Sequence, residues 1–352
     1  MEQNQIKKTY GLSGGRMLAL LGAALLAVFL FSFAIGRYGV PVGQVVRILI
    51  SRVIPLEQTW TDQMETAVIN IRLPRILMAC LVGACLSAAG AGYQGVFQNP
   101  MASPDILGAS NGAAFGAALA ILWGASSRGI TLSAFFFSMV TVLLALLIAR
   151  LAPGSKVVNL ILGGIMVGSL FTAGTSYIKL VADPSNQLPQ ITYWLMGSLS
   201  GIKGKDVALA FLPMLLGLVP MLLLRWRLNI LTLGDEEART LGVNPGLLRF
   251  GVILCATLVT AASVSFSGMI GWVGLVIPHL CRKLVGGDFR LLMPASLLAG
   301  AAFLLVVDNI SRNLLAVEIP IGILTAVVGA PFFLYLLCRG DRSLPSGGEK
   351  SL

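Results

Sequence analysis

Residues 250–281 read FGVILCATLVTAASVSFSGMIGWVGLVIPHLC, an unbroken run of 32 residues without a charge. One membrane crossing takes about 20 apolar residues, so this run is too long for a single helix. Its middle, Ser265-Phe266-Ser267-Gly268-Met269-Ile270-Gly271, is rich in the small and flexible residues that interrupt helices. The run therefore predicts two helices, the second continuing to about Val285. Lipid is the solvent that such a stretch requires.

The rest of the chain has the same punctuation. Further uncharged runs cover 17–36, 76–104, 106–127, 129–149, 157–178, 207–224, 291–307 and 319–338. With the divided run this makes ten spans and an all-α polytopic membrane protein. Residues 184–202 are also uncharged, but Pro184, Ser185, Asn186, Gln187, Pro189 and Gln190 mark a polar loop. A short surface helix is expected there at Tyr193 to Leu199.

Composition agrees. Of 352 residues, 56% are hydrophobic and 11% charged, and the mean hydropathy is +0.87. A soluble domain carries about 25% charged residues, so an ordinary globular enzyme, a disordered chain and a disulfide scaffold are excluded. The 40 glycines suit membrane helices, whose backbones approach closely at small residues. Stripes of them occur at Gly108, Gly112 and Gly116, at Gly83, Ser87, Ala91 and Gly95, and at Gly164 with Gly168. They predict tight helix contacts, with a backbone-lined conduit as the alternative.

The net charge of +10 comes from singly scattered Lys and Arg without aromatic interleaving, so no nucleic-acid partner is expected. With the N-terminus inside, cytoplasmic segments hold 15 of the 25 basic residues, in the sense of the positive-inside bias. An even span count places both termini in the cytoplasm. The expected organisation is a leader at 1–16, a ten-helix body at 17–339 and a tail at 340–352. Cys80, Cys85, Cys255, Cys281 and Cys338 form no CxxC pair and read as small apolar residues. His279 is the only histidine, so no metal site or other cofactor site is expected.

Energy coupling is informative by what is missing. No G-x-x-x-x-G-K-[ST] loop is present, so the chain does not hydrolyse ATP itself. Asp105, Asp183, Asp206, Asp308 and Glu318 sit at span edges, whereas an ion-coupled carrier needs titratable groups inside the membrane. An external energy source is expected; an ion-coupled secondary transporter and an integral-membrane enzyme are the alternatives. The long loop before residue 250 contains Leu233-Gly234-Asp235-Glu236-Glu237-Ala238-Arg239-Thr240-Leu241-Gly242. Acidic residues at the start and Gly242 with Asn244-Pro245 at the end predict a short helix there. A second short helix can start at Pro245, and the pair at 233–249 reads as a lever for a soluble partner.

Seven segments, taken in order, resemble one family. They are Ile71-Arg72-Leu73-Pro74-Arg75, Asn99-Pro100-Met101-Ala102 through Gly108, Tyr193-Trp194-Leu195-Met196-Gly197, and Leu233-Gly234 through Leu241-Gly242. Then come Gly274-Leu275-Val276-Ile277-Pro278-His279, Asp308 to Arg312, and Glu318-Ile319-Pro320-Ile321-Gly322-Ile323-Leu324-Thr325. From about Leu18 to Arg339 the chain resembles FecCD-type permeases, membrane subunits of type II ABC importers for iron–siderophores, haem and vitamin B12.

The resemblance implies a multi-pass protein of the prokaryotic cell membrane, paired with an identical or paralogous permease. It implies an ABC ATPase dimer beneath and a substrate-binding protein above. The coupling residues would be Asp235, Glu236, Glu237, Ala238, Arg239, Leu241 and Gly242. Arg72, Arg75 and Arg312 would dock the binding protein, external guanidinium groups being suited to carboxylates. Asn99 and Met101 match the inner gate of the vitamin B12 importer, and Val157 and Val158 fall at a second gate segment. Met101 stands where most relatives have Leu, and the two valines replace a small polar pair. The expected cargo is an iron(III)–siderophore, with haem or a corrinoid as alternatives.

Overall fold

A computed structural model describes residues 14–339. The leader 1–13 and tail 340–352, and with them most of the expected N-terminal leader and all of the expected tail, lie outside the described residues. Helix α1 is Gly14–Ala34 and α2 Val42–Ile50. A turn at Asp62–Glu65 and a π-helical stretch Thr66–Arg72 lead without interruption into α3, Leu73–Val96. There follow α4 Ala109–Leu122, α5 Ser127–Leu151, α6 Lys156–Val181, α7 Gln187–Leu195 and α8 Gly204–Leu231. The last are α9 Asp235–Thr240, α10 Pro245–Ser267, α11 Val273–Val285, α12 Phe289–Asn313 and α13 Ile321–Arg339. Seven helical stretches, α1, α5, α6, α8, α10, α12 and the continuous 62–96, are long and apolar enough to cross a membrane. Helices α4 and α13 are shorter apolar elements.

Helix α3 is the axle. Nearly every residue from Met78 to Val96 is buried, including Ser87, Gln94 and Tyr93, and α12, α10, α11 and α8 surround it. Its small residues make this possible. A Cβ at Gly83 would lie 2.2 Å from the Gly300 carbonyl oxygen of α12, and one at Gly90 1.8 Å from that of Gly274 in α11. The backbones touch there, so no side chain fits. The second stripe works likewise: Gly112 and Gly116 of α4 lie against Phe137 O and Ser133 O of α5, while Gly164 of α6 lies against Ile106 O. At these glycines the stripes serve helix contact.

The long uncharged run breaks where its composition changes. Helix α10 ends at Ser267 and α11 begins at Val273, with Gly268 and Trp272 both at positive φ, 66° and 71°. Exposed backbone is not tolerated in lipid, so a broken helix must be satisfied by protein. Here two other irregular segments supply the partners. Ser198 N donates to Ser267 O at 2.7 Å, Ile321 N to Gly197 O at 2.8 Å, and Gly322 N to Met196 O at 3.1 Å.

Three details differ from the sequence reading. The surface helix lies at Gln187–Leu195, not Tyr193 to Leu199, because Gly197 at φ 74° ends it early. Residues 245–249 are not a separate short helix: Pro245 opens the full span α10, capped by Asn244 Oδ1 accepting from Leu247 N at 3.1 Å. Helix α2 adds an element beyond the uncharged runs, its buried Val45 and Ile48 following a helical i, i+3 spacing. Cys85 and Cys281 are buried, Cys80 and Cys255 partly so, and Cys338 is exposed.

Replacing Gly90 by Ala should force α3 and α11 apart, because backbone cannot yield as a side chain can. The expected cost is about 1–3 kcal/mol or more, read as a lower thermal midpoint and lower folded yield in detergent. Gly22→Ala, at a position with nothing within 4 Å, is the control. Equal midpoints for the two variants would refute the axle contact.

Candidate functional site

Two groups of polar residues occupy opposite ends of α3. Its 24 residues span roughly 36 Å at 1.5 Å per residue, so the Arg75 end and the Asn99 end cannot meet.

At the first end the structure does bring Arg72, Arg75 and Arg312 together, but it buries them, at 4%, 7% and 7% exposure. The sequence reading set them on an exposed surface. Arg72 instead turns inward from the π-helical turn and donates to the carbonyls of Phe33 and Tyr38. Arg75 Nε donates to both oxygens of Asp308, at 3.0 and 3.2 Å, and its Nη1 to Glu318 Oε1 at 2.9 Å. Arg312 Nη2 donates to Ser32 O at 2.8 Å and to the Asn309 side-chain oxygen. Its Nε lies 4.0 Å from Asp308 Oδ2. The physical reason is local: α1 ends and α12 ends beside the start of α3, leaving carbonyls that need donors. Arg37, not singled out from the sequence, adds bonds of 3.0 Å to Arg312 O and Leu315 O. Asp308 and Glu318 were seen only as span-edge acids; that they pair with Arg75 across more than 230 residues has no local sequence signal.

The cluster holds three guanidinium groups against two carboxylates, and Arg75 Nη2 and Arg312 Nε are buried without a hydrogen-bond partner among the described residues.

At the other end α9 stands out as a hairpin. Gly234 precedes it at φ 119° and Gly242 follows at φ 76°, with Gly242 N donating to Arg239 O and Val243 N to Ala238 O. This left-handed closure is why a six-residue helix stops where it does. Glu236, Glu237, Arg239, Leu241 and Gly242 are exposed, and Ala238 is fully buried. Asp235 faces back to the bundle: its two oxygens accept from Arg249 Nη2 at 2.6 Å and Nη1 at 2.7 Å. Arg249 Nε also donates to Val96 O at 3.4 Å, so one guanidinium ties α9, α10 and the end of α3. The bidentate bond to Arg249 holds the Asp235 carboxyl below the usual carboxylate range.

The expected gate residues lie beside this hairpin. After α3 the chain turns at Gln98, φ 51°, and Asn99 Oδ1 accepts from Met101 N at 2.8 Å. Met101 is 45% and Val158 51% exposed, each an apolar side chain without cover. Two cavities connect the parts. One of about 1030 Å³ is walled by Asn99 together with Leu233 and Leu241 of the hairpin. The other, about 490 Å³, is walled by Val157 together with Phe97 and Arg249.

This is a polytopic membrane protein with a protruding hairpin at one end and a buried charge cluster at the other. The chain belongs to the FecCD transport family, whose profile matches residues 24–339. It is 42% identical over 327 residues to the molybdate import system permease protein MolB of Haemophilus influenzae, covering 91% of this chain and 96% of that one. It is 42% identical to a probable iron chelatin transport system permease protein of Helicobacter pylori, covering 79% and 84%. A solved structure described as a metal-chelate type ABC transporter in an inward-facing conformation superposes with TM-score 0.83 at 38% identity. It covers 93% of this chain and 100% of that one. The chain is thus a permease of the ABC importer class, and its role is transport.

Two outcomes follow. Asp308→Asn leaves Arg75 without its main anion, and breaking a buried pair costs about 3–5 kcal/mol; the thermal midpoint should fall, and an unchanged value would show the pair to be idle. Because Asp235 titrates below its ordinary range, its bond to Arg249 is fully present above the unfolded-state value and is lost only as pH falls through the lower native one. Protection of the α9 amides in hydrogen exchange should therefore persist from neutral pH down through about pH 4. In Asp235→Asn that protection should already be weakened at neutral pH.

Proposed function

We propose that the chain crosses the membrane ten times with both termini in the cytoplasm and, with a second permease, lines the path of an importer. The hairpin at 234–242 receives the push of a separate ATPase. Asn99, Met101, Val157 and Val158 form the inner closure, and a binding protein delivers cargo at the Arg72–Arg75–Arg312 end. The observation that carries this reading is the sharing of walls. The cavity beside Asn99 reaches Leu233 and Leu241, and the cavity beside Val157 reaches Arg249, whose guanidinium grips Asp235 of α9. A displacement of α9 is thereby felt at both closure segments without a long pathway.

Exposed Glu236, Glu237 and Arg239 supply the charged face for the ATPase, while buried Ala238 and the Asp235–Arg249 bond anchor the hairpin to the bundle. At the other end the excess of guanidinium over carboxylate, with spare donors on Arg75 and Arg312, suits acidic residues of a binding protein. Docking there would exchange partners within the cluster rather than cover an open patch.

The cargo read from the motifs is an iron(III)–siderophore. A molybdate oxyanion is the second reading, favoured by the 42% identity to a molybdate permease across 96% of its length. Reconstitution with the ATPase and binding protein decides both: ATP-dependent uptake of labelled iron chelate or of labelled molybdate is expected. Uptake by the chain alone, driven by an ion gradient, would overturn the assignment. Glu236→Ala with Glu237→Ala should reduce uptake severalfold while the thermal midpoint stays within about 0.5 kcal/mol equivalent, as for exposed positions generally. Arg72→Gln with Arg312→Gln should abolish stimulation of ATP hydrolysis by the binding protein, with basal hydrolysis retained as the folding control.

A further inference from the structure

The cavity of about 490 Å³ beside Val157 has a character that its link to the closure does not use. Its walls come from the ends of α3 and α5 and the starts of α6 and α10, so it lies at the α9 end of the bundle. Leu160 and Ile253 are buried apolar walls, while Leu143, Leu147 and Phe250 line it and are also exposed. On α5, Leu143, Leu147 and Leu151 recur every four residues, and exposed Leu132 and Phe136 extend the same apolar face. Lipid is the solvent for a face of that kind. An acyl chain therefore reaches the cavity without crossing water.

Its polar side is cationic. Arg150, Lys156 and Arg249 are among the walls, and no Asp or Glu is. Arg249 is engaged with Asp235 and Val96 O. The side chains of Arg150 and Lys156, both exposed, have no ion-pair or hydrogen-bond partner among the described residues. Two helix starts add to them. Lys156 and Val157 begin α6, whose cap residue Ser155 makes no side-chain hydrogen bond and whose first turn holds no acid. Gly246 lies in the first turn of α10, likewise without an acid. Free amides and aligned peptide dipoles at helix starts favour an anion. A soluble anion would leave the apolar walls uncovered, and a neutral acyl chain would leave the two cations unmatched. An anionic phospholipid satisfies both.

We infer that this cavity is a binding site for an anionic phospholipid, with an acyl chain against Leu160 and Ile253 and the headgroup phosphate at Arg150 and Lys156. Only the leaflet rests on the proposed function: with α9 in the cytoplasm, the lipid belongs to the inner leaflet, whose anionic surface attracts Lys and Arg. Binding itself is independent of that reading, since it is measured on the permease alone. Val157 and Arg249 are walls of the same cavity, so a bound lipid packs against both the closure and the clasp of α9.

The full chain, purified in dodecyl maltoside and stripped of lipid, is titrated with dioleoyl-phosphatidylglycerol or dioleoyl-phosphatidylcholine, and its thermal midpoint is followed against the lipid mole fraction of the micelle. A saturable rise is expected with phosphatidylglycerol and a weaker one, or none, with phosphatidylcholine. Arg150→Gln with Lys156→Gln should raise the half-effect mole fraction about tenfold or more, two cations being lost from an anionic headgroup. Arg227→Gln with Arg290→Gln removes the same charge at exposed positions outside the cavity and should leave the half-effect unchanged. Leu147→Trp fills part of the apolar side and should weaken binding severalfold, which keeps the test open should the first double variant fold poorly. Leu144→Trp, exposed but not a wall residue, is its control. Inorganic phosphate alone should leave the midpoint where it is. No saturable rise with phosphatidylglycerol, an equal rise with phosphatidylcholine, a rise with phosphate, or equal half-effects in the two double variants would overturn the inference. A failure of ATP-driven uptake with lipid binding intact would count against the transport reading alone.

Discussion

Backbone meeting backbone at α3 is the constraint on which the bundle depends. Gly83 against Gly300 and Gly90 against Gly274 leave no room for a methyl group, so α11 and α12 sit on the axle at the closest possible distance. In lipid there is little hydrophobic gain from bringing helices together, and close packing of small residues supplies the attraction instead. Everything else is placed by that contact. It sets α12 so that Asp308 reaches Arg75, and α11 so that the break before it faces the Met196–Ser198 turn.

A second constraint follows from the same solvent. Once the 250–281 run breaks, its free amides and carbonyls must find protein partners. They do so by knotting three distant irregular segments, around residues 197, 268 and 321. The break is thus a junction rather than a loose hinge, and Trp272 at φ 71° is held there by packing against Gly329 and Phe333. The α9 end is held differently, by one bidentate pair to Arg249 and the buried Ala238, with two cavities beside it. A transport subunit worked by a partner needs that contrast: a firm frame, and a small element able to shift against it.

Charge is used sparingly and differently at the two ends. The Arg75 cluster is buried and paired largely within itself, so it acts first as a clasp between α1, α3 and α12, with Arg75 Nη2 and Arg312 Nε left over. The α9 face presents exposed charge of both signs to water.

Much of this was legible in the residues. Nine uncharged runs, among them the interrupted 250–281, the glycine stripes and the Gly234–Gly242 hairpin all follow from local patterns, because lipid demands long apolar segments and turns demand glycine. Helix α2 carries its periodicity too, in Val45 and Ile48. What local pattern could not convey was which polar groups meet. An arginine near a span edge looks the same whether it faces a partner protein or a carboxylate 233 residues away. Burial of Arg72, Arg75 and Arg312 and the grip of Arg249 on Asp235 arise only when helices distant in sequence are packed. Composition and periodicity, being local, determined that this chain lives in lipid and where it turns. The tertiary structure alone decided where its few charges are spent, because pairing depends on distances that sequence separation does not encode.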